Sequence, residues 1–291
     1  MGTVNSPGKP PHLTDDRKSL LITGCSSGIG YDAAHGMAAR GWRVLAACRR
    51  KSDCARLEDE GLESLVLDYE DQAGIHEAVR EVLARTDGRL DAVFNNGAYA
   101  VPGLIEDLPT DALRAIFEAN FFGQHELTKC LLPTFRRQGH GRILMNSSVL
   151  GFFALPWRGS YNSTKFAVEG WADTLRRELR GTGIRVILIE PGPITSSIRQ
   201  NSIPHYERWI DVPSSARAED YRTKLEPRLY ADSPKPDPFE LPASAVTRRV
   251  AHALTHPNPR PRYRVTFPTK FIYLAKRFMT TRMQDRFLQR G

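Results

Sequence analysis

The turn Thr23-Gly-Cys-Ser-Ser-Gly-Ile-Gly30 constrains this chain more than any other segment. It follows an apolar run, Ser19-Leu-Leu-Ile-Thr23, and precedes residues 28–40, which have helical content. Glycines 24, 28 and 30 let the backbone bend tightly and come close to a pyrophosphate. The next helix then turns its N-terminal amides and positive dipole end toward that anion. A glycine-rich turn alone is weak evidence; between a strand and a helix it predicts a dinucleotide site. Gly24, Ser26, Ser27, Gly28, Ile29 and Gly30 are the candidate contacts, with Ser26 as an added hydrogen-bond donor.

The same alternation continues along the chain. Apolar runs at 43–48, 65–67, 90–94, 142–146, 184–189 and 263–267 are separated by helical stretches at 52–60, 71–86, 110–137, 158–181 and 242–256. In residues 71–86, Ile75, Ala78, Val79, Val82 and Leu83 repeat at helical spacing. Strand and helix in alternation require right-handed crossovers. The expected architecture is α/β, a Rossmann-type doubly wound parallel sheet of about seven strands with helices on both faces. Ligands bind such sheets beyond the carboxyl ends of the strands. Residues 18–268 read as one domain. Residues 1–17, with Pro7, Pro10 and Pro11, read as a disordered lead, and 269–291 as a basic C-terminal helix. Residues 193–240, rich in Pro, Ser and charge, read as an inserted lid over a substrate.

Composition narrows the class. In 291 residues, Lys plus Arg is 41 and Asp plus Glu is 33, a net charge of +8. No stretch of about 18 uncharged apolar residues is present, so a spanning helix is not expected. Cys25, Cys48, Cys54 and Cys130 form no CxxC pair. They read as reduced thiols of a cytoplasmic protein, with no metal site. No DNA- or RNA-binding motif accompanies the positive charge, so nucleic acid is not an expected partner. In the tail, Lys270, Lys276, Arg277, Arg282, Arg286 and Arg290 stand against Asp285, with Phe271, Leu274, Phe278 and Met279 as an apolar stripe. Such a helix packs on its own body or a partner subunit, or touches an anionic membrane surface peripherally.

Cofactor choice is read at the end of the second strand. An acid there serves the ribose hydroxyls in NAD-binding folds. Here Cys48 is followed by Arg49 and Arg50, and a guanidinium can fork onto a 2′-phosphate. NADP is therefore expected over NAD, with Arg49 as its contact. Asp68, after the third strand, is the candidate acceptor for the adenine amino group.

With these motifs in order, the chain resembles the short-chain dehydrogenase/reductase family over about residues 19–200. The TGxxxGxG turn is residues 23–30, and the Asn-rich motif is Asn95-Asn96-Gly97-Ala98, with Gly97 and Ala98 in the reverse of the commoner order. The helix asparagine is Asn120, the Ser–Tyr–Lys signature is Ser148, Tyr161 and Lys165, and the Pro-Gly motif is Pro191-Gly192 with Ile194 and Thr195 beyond. The resemblance implies that Asn95, Gly97, Tyr161, Lys165, Pro191, Gly192, Ile194 and Thr195 also meet the cofactor. It implies a homodimer through the helices holding 110–137 and 158–181, or a homotetramer. The segments 149–157 and 165–170 are similar to the branch acting on steroids, retinoids and long-chain carbonyls, which includes 17-beta-hydroxysteroid and retinol dehydrogenase-like members and bacterial aldehyde-reductase-like members.

Those roles make chemical sense. Carbonyl reduction needs a hydride on carbon and a proton on oxygen; the cofactor supplies the first and the protein the second. Tyr161 and Lys165 are four apart and share a helix face. A neighbouring ammonium, with the positive nicotinamide of the oxidised cofactor, is expected to lower the phenol's pKa, making Tyr161 the acid in reduction and the base in oxidation. Ser148, rather than the competing Ser147, would hold the substrate oxygen. Asn120 would hold a water that links Lys165 to solvent. Tyr99, Leu150, Phe152, Phe153, Trp157 and Ile198 are the candidate substrate contacts, and their apolar character favours a hydrophobic carbonyl or alcohol. The alternative is a non-catalytic NADP-binding regulator that keeps the fold.

Overall fold

A computed structural model of the chain describes residues 16–232 and 236–288. Residues 1–15 of the expected lead, and Arg290 of the tail, lie outside the described residues.

Seven strands form one wholly parallel sheet: β1 (Ser19–Thr23), β2 (Arg43–Cys48), β3 (Glu63–Val66), β4 (Ala92–Asn95), β5 (Gly141–Asn146), β6 (Ile184–Glu190) and β7 (Arg262–Arg264). Their order is β3-β2-β1-β4-β5-β6-β7. The direction of winding reverses between β1 and β4, which opens a crevice at their carboxyl ends. Every residue of β1 and β4 is buried, as a sheet covered on both faces requires. Side chains alternate between two cores. Leu21, Leu45, Val93, Ile143 and Val186 face one side, and Leu20, Ile22, Val44, Phe94, Leu144 and Ile187 the other. Each such side chain contributes about 1.5–3 kcal/mol on burial.

The helices are α1 (Gly28–Ala38), α2 (Lys51–Asp59), α3 (Gln72–Arg85), α4 (Thr110–Phe117), α5 (Gly123–Gln138), α6 (Gly159–Glu178), α7 (Ile198–Trp209), α8 (Ala218–Asp220), α9 (Glu226–Leu229), α10 (Ser244–Thr255), α11 (Phe267–Lys276) and α12 (Thr281–Leu288). The Rossmann-type architecture read from the sequence is the observed one. The long helical stretch at 110–137 is α4 and α5 joined by a π-helical turn, Glu118–Phe122. A π turn inside an α-helix commonly marks a functional position.

Three details differ from the sequence reading. The segment 193–240 holds α7, α8, a π turn at Tyr221–Leu225 and α9, and it buries Tyr206, Tyr221, Leu225 and Leu229 in the main core. The last strand ends at Arg264, because Thr266 caps α11, its hydroxyl accepting from the Thr269 amide. The C-terminal helix is two helices, interrupted at 277–280.

Candidate active site

The glycine turn packs against the loop after β4. Gly24 (φ +68°) and Gly28 (φ +59°) occupy the left-handed region. A Cβ on Gly24 would stand 2.6 Å from the Gly97 Cα, and one on Gly30 would strike the Gly24 carbonyl. Gly97 is itself pressed by the Tyr69 ring, 3.1 Å from where its Cβ would lie, so the Gly-Ala order puts the glycine where contact is tightest. Ser27 is the N-cap of α1 but its side chain makes no capping bond, and no acid stands in the first turn. The amides at that end are left to an anion. The cradle and its donors thus fit a dinucleotide pyrophosphate, the group the fold implies.

Polar bonds tie this turn to the catalytic residues. Asn96 donates to the Thr23 carbonyl at 3.0 Å and accepts from Asn146 at 2.9 Å. The Asn146 carbonyl accepts from Lys165 Nζ at 2.6 Å. Three strand ends, β1, β4 and β5, are therefore joined to α6 by one chain of contacts. Asn95 differs from expectation. It is fully buried, accepts from Tyr69 at 2.8 Å and donates to Thr128 at 3.1 Å, so its side chain braces the core rather than facing the crevice. Asn96, quoted only as part of the motif, is the asparagine at the turn. Arg56 was also missed: its guanidinium donates to the Ser26 carbonyl at 2.7 Å from α2 and lies 5.3 Å from the Tyr31 ring.

Ser148, Tyr161 and Lys165 converge. The Ser148 hydroxyl stands beside the Tyr161 phenol, and Lys165 Nζ lies 5.4 Å from the Tyr161 ring centre. The Ser147 hydroxyl is buried beside the Glu169 side chain, under Gly151. Among the protein's own groups the balance at this phenol runs upward. Burial pushes Tyr161 well above the ordinary phenol range, and the nearby Ser148 hydroxyl opposes this only in part. The Lys165 ammonium spends its shortest contact on the Asn146 carbonyl instead of the phenol oxygen. Burial brings Lys165 itself down to about 8, against the pull of Glu169.

Asn120 sits fully buried in the π turn between α4 and α5. Its amide donates to the Tyr99 carbonyl at 2.8 Å and to Thr164 at 3.3 Å, and its oxygen accepts from the Tyr99 amide at 3.0 Å. The side chain is thus committed to the Tyr99 loop.

At the adenosine end, Arg49 is exposed after β2. Asp68 accepts from the Glu70 amide at 3.1 Å. Glu70 stands in the field of this end: burial and Asp68 push its carboxyl up, while Arg49 and Arg208 pull it down. Arg208 comes from α7, whose His205 stacks on Tyr99 at 3.9 Å. The segment 193–240 therefore places α7 beside Tyr99 and Glu70, which its sequence did not signal.

Pro191 and Gly192 follow β6. The Pro191 carbonyl accepts from the Val149 amide at 2.7 Å, and a Cβ on Gly192 would strike the hydroxyls of Thr266 and Thr269. Ile194 bridges to Leu241. Thr195 is exposed and donates to Glu240 at 2.6 Å, so its hydroxyl is engaged within the lid.

The candidate substrate contacts gather unevenly. Trp157 (φ +64°) is held in a left-handed conformation by its carbonyl bond to the Gly103 amide (3.1 Å) and by edge contact with Tyr221 (5.0 Å). Phe152 meets Tyr273 of α11 edge-on at 5.6 Å. Leu150 donates its amide to Ser148 at 3.1 Å. Tyr99 and Phe153 are buried, and Ile198 is exposed at the start of α7. The four cysteines are free thiols. His76, Glu126 and Cys130 form one cluster with metal-ligating atoms among the described residues, away from this crevice. Hydrogen bonds account for it: His76 (2.7 Å) and Lys129 (2.6 Å) hold the Glu126 carboxyl down at about 2.

Comparison with known proteins agrees with this geometry. The family described as short chain dehydrogenase matches residues 18–207. The uncharacterized oxidoreductase YbbO of Escherichia coli (strain K12) is 37% identical over 274 residues, 94% of each chain. Retinol dehydrogenase 7 of Mus musculus is 33% identical over 284 residues, 95% of this chain and 89% of that one. The crystal structure of a short-chain dehydrogenase from Streptomyces avermitilis superposes with a TM-score of 0.73 at 25% identity, covering 90% of this chain and 93% of that one. The chain belongs to the short-chain dehydrogenase/reductase family and is an NAD(P)-dependent oxidoreductase acting on carbonyl and alcohol groups.

Proposed function

We propose that the protein is an NADP-dependent reductase of hydrophobic carbonyls, or a dehydrogenase of the matching alcohols, of steroid, retinoid or long-chain aldehyde type. The observation that carries the chemistry is the contact of Tyr161 with Ser148 beside buried Lys165. When bound, the nicotinamide supplies the hydride. Ser148 holds the substrate oxygen against Tyr161. A phenol kept protonated by burial is ready to give its proton to the oxygen as negative charge grows there. Lys165, held by Asn146, places a positive charge beside that exchange and is within the same wall of the crevice as the nicotinamide ribose would be. Asn120 acts as a positioning residue that fixes Tyr99.

NADP preference rests on Arg49 and on the absence of an acid at positions 48–50, with Arg208 of the lid beside it. The candidate cofactor set is the one read from the sequence, with Asn96 taking the place of Asn95 at the turn. The hydrophobic substrate class rests on the apolar character of Trp157, Phe152 and Leu150, which follow Ser148 in the chain, and on similarity to retinol dehydrogenase 7. A cytoplasmic enzyme is consistent with free cysteines, and no helix of the described residues is long and apolar enough to cross a membrane. A homodimer or homotetramer through α4–α6 is supported by Phe122 and Phe166, which stay exposed; light scattering checks it, and a monomer at working concentration refutes it.

The test is NADPH consumption over a panel of ketosteroids, retinoids and aldehydes. Tyr161→Phe is expected to lower turnover by about 10²–10⁴-fold with NADPH binding retained. Turnover within a few-fold of the parent would return the protein to the cofactor-binding regulator class. Arg49→Asp is expected to cost about 10–100-fold in kcat/KM for NADPH and little for NADH. Equal use of both cofactors by the parent would refute the NADP reading.

A further inference from the structure

Below Lys165 lies a group of charges that the hydride chemistry does not use. Glu169 follows Lys165 by four residues on α6 and shares its face. Its side chain is 10% exposed and is ion-paired with Arg262 of β7. Arg262 also reaches Glu190 at 2.5 Å and Asp173 at 2.8 Å. Glu190, wholly buried at the end of β6, pairs with Arg264 at 3.0 Å. Gly151 closes over the group: a Cβ there would stand 2.9 Å from the Glu169 Cγ.

We propose that Glu169 is a positioning residue for Lys165. With Arg262 and Glu190 it forms a buried charged anchor, one helical turn beneath the ammonium, that keeps Lys165 protonated and aimed at the crevice. The inference rests on Lys165 belonging to the catalytic set. Buried ion groups are poor sources of folding stability, because desolvation offsets most of their attraction. This one stands where its field falls on a catalytic cation. Lys165 is 1% exposed and its hydrogen bond goes to a neutral carbonyl, that of Asn146. Burial disfavours its charge, and Glu169 opposes that effect.

The charged groups facing Glu169 are Lys165 from α6, Glu190 from β6 and Arg262 from β7, with Asp173, one turn along α6, paired to the same Arg262. Arg264 lies behind Glu190 and stacks over the Tyr273 ring of α11 at 3.2 Å. Arg262 and Arg264 also border a cavity of about 320 Å³ with Arg249, Arg260 and Lys270, which gives the far end of the anchor a cationic, solvent-reachable wall. Burial and Glu190 raise the Glu169 carboxyl to about 7 with Arg262 opposing, so its charge develops below the range in which Lys165 loses its own.

The experiment is an NMR titration of lysine labelled at Cε, on the parent, Glu169→Gln and Glu169→Asp, with Lys165→Arg to assign the resonance. It reads the ammonium without turnover. In Glu169→Gln the Lys165 midpoint is expected to fall by on the order of one pH unit. The alkaline limb of the NADPH turnover profile should fall with it, and Glu169→Asp should restore both. An unmoved midpoint and limb in a folded Glu169→Gln, whatever its Tm, overturns the proposal. Should that variant not fold, the parent decides: its Lys165 resonance must carry a second inflection near neutral pH from Glu169, and a single transition overturns the anchor. Coupled titration in a protein that turns over no carbonyl would refute the proposed activity and leave the anchor standing.

Discussion

Lys165 shows how a single side chain carries both function and cost. It is buried to 1% exposure and its ammonium is brought down to about 8 from an ordinary 10.5. The unfolded chain therefore binds the proton more tightly than the folded one. Between those two values the unfolded state holds more protons, so stability rises with pH across that window. Below about 8 the cost of the buried charge is fully present. Lys165→Met removes this contribution. In urea unfolding followed from neutral pH upward, the parent's stability should gain on the variant's between pH 8 and 10.5, and parallel curves would show that Lys165 is not buried charged. The same residue gives the turnover profile its expected alkaline limb, whereas Tyr161, pushed upward by burial, stays protonated throughout it.

At the scale of elements, the lid departs most from its sequence. Tyr221 is fully buried in it, and the hydroxyl accepts from the Leu104 amide at 2.9 Å and donates to Asp107 at 2.8 Å. These bonds pin the lid to the loop after β4. Tyr221→Phe leaves the Leu104 amide without its partner and removes one of two hydroxyls from the Asp107 carboxylate, where Ser215 remains; it is expected to cost about 1–3 kcal/mol, read as a lower urea midpoint with faster proteolysis inside 193–232. An unchanged midpoint would mean that the lid does not fold as part of the core. Residues 200–240 read as irregular because Pro204 and Pro227 interrupt the helical pattern, and because the buried Tyr206, Tyr221, Leu225 and Leu229 stand among charges. The sheet was legible because each strand is an apolar run bounded by turn residues, and parallel strands buried on both faces read that way. Ser148, Tyr161, Lys165 and the glycine turn were legible through motif spacing. Asn96 against Asn95 was not, since only the pleat of β4 decides which of two adjacent asparagines faces the crevice. Arg56, His205 and Glu169 act through tertiary contacts between distant segments, for which one sequence carries no local mark.

The whole molecule is cationic, at +8, and its charge and exposed apolar surface meet at the C-terminus. Phe267 (61%), Phe271 (52%), Leu274 (58%) and Phe278 (79%) lie exposed along and just beyond α11, and Phe239 joins Phe267 at 5.3 Å. Lys270 stands on the same helix, beside Arg249 and Arg260 around the cationic cavity. Aromatic rings that can enter the headgroup layer, flanked by cations that attract it, fit an anionic bilayer better than a second cationic copy of this chain. The site lies close by: Tyr273 and Lys276 of α11 contact Phe152. Peripheral contact there would bring a lipophilic carbonyl to the enzyme where it is already concentrated. The protein is therefore expected to sediment with vesicles containing anionic phospholipid, to bind neutral vesicles weakly, and to be released by salt. Phe271→Glu with Phe278→Glu should abolish sedimentation while leaving turnover of a water-soluble aldehyde near the parent's. Binding that ignores lipid charge, or a double variant that still sediments, would refute membrane contact. Light scattering that shows the double variant to be a smaller oligomer would assign the stripe to a subunit interface instead.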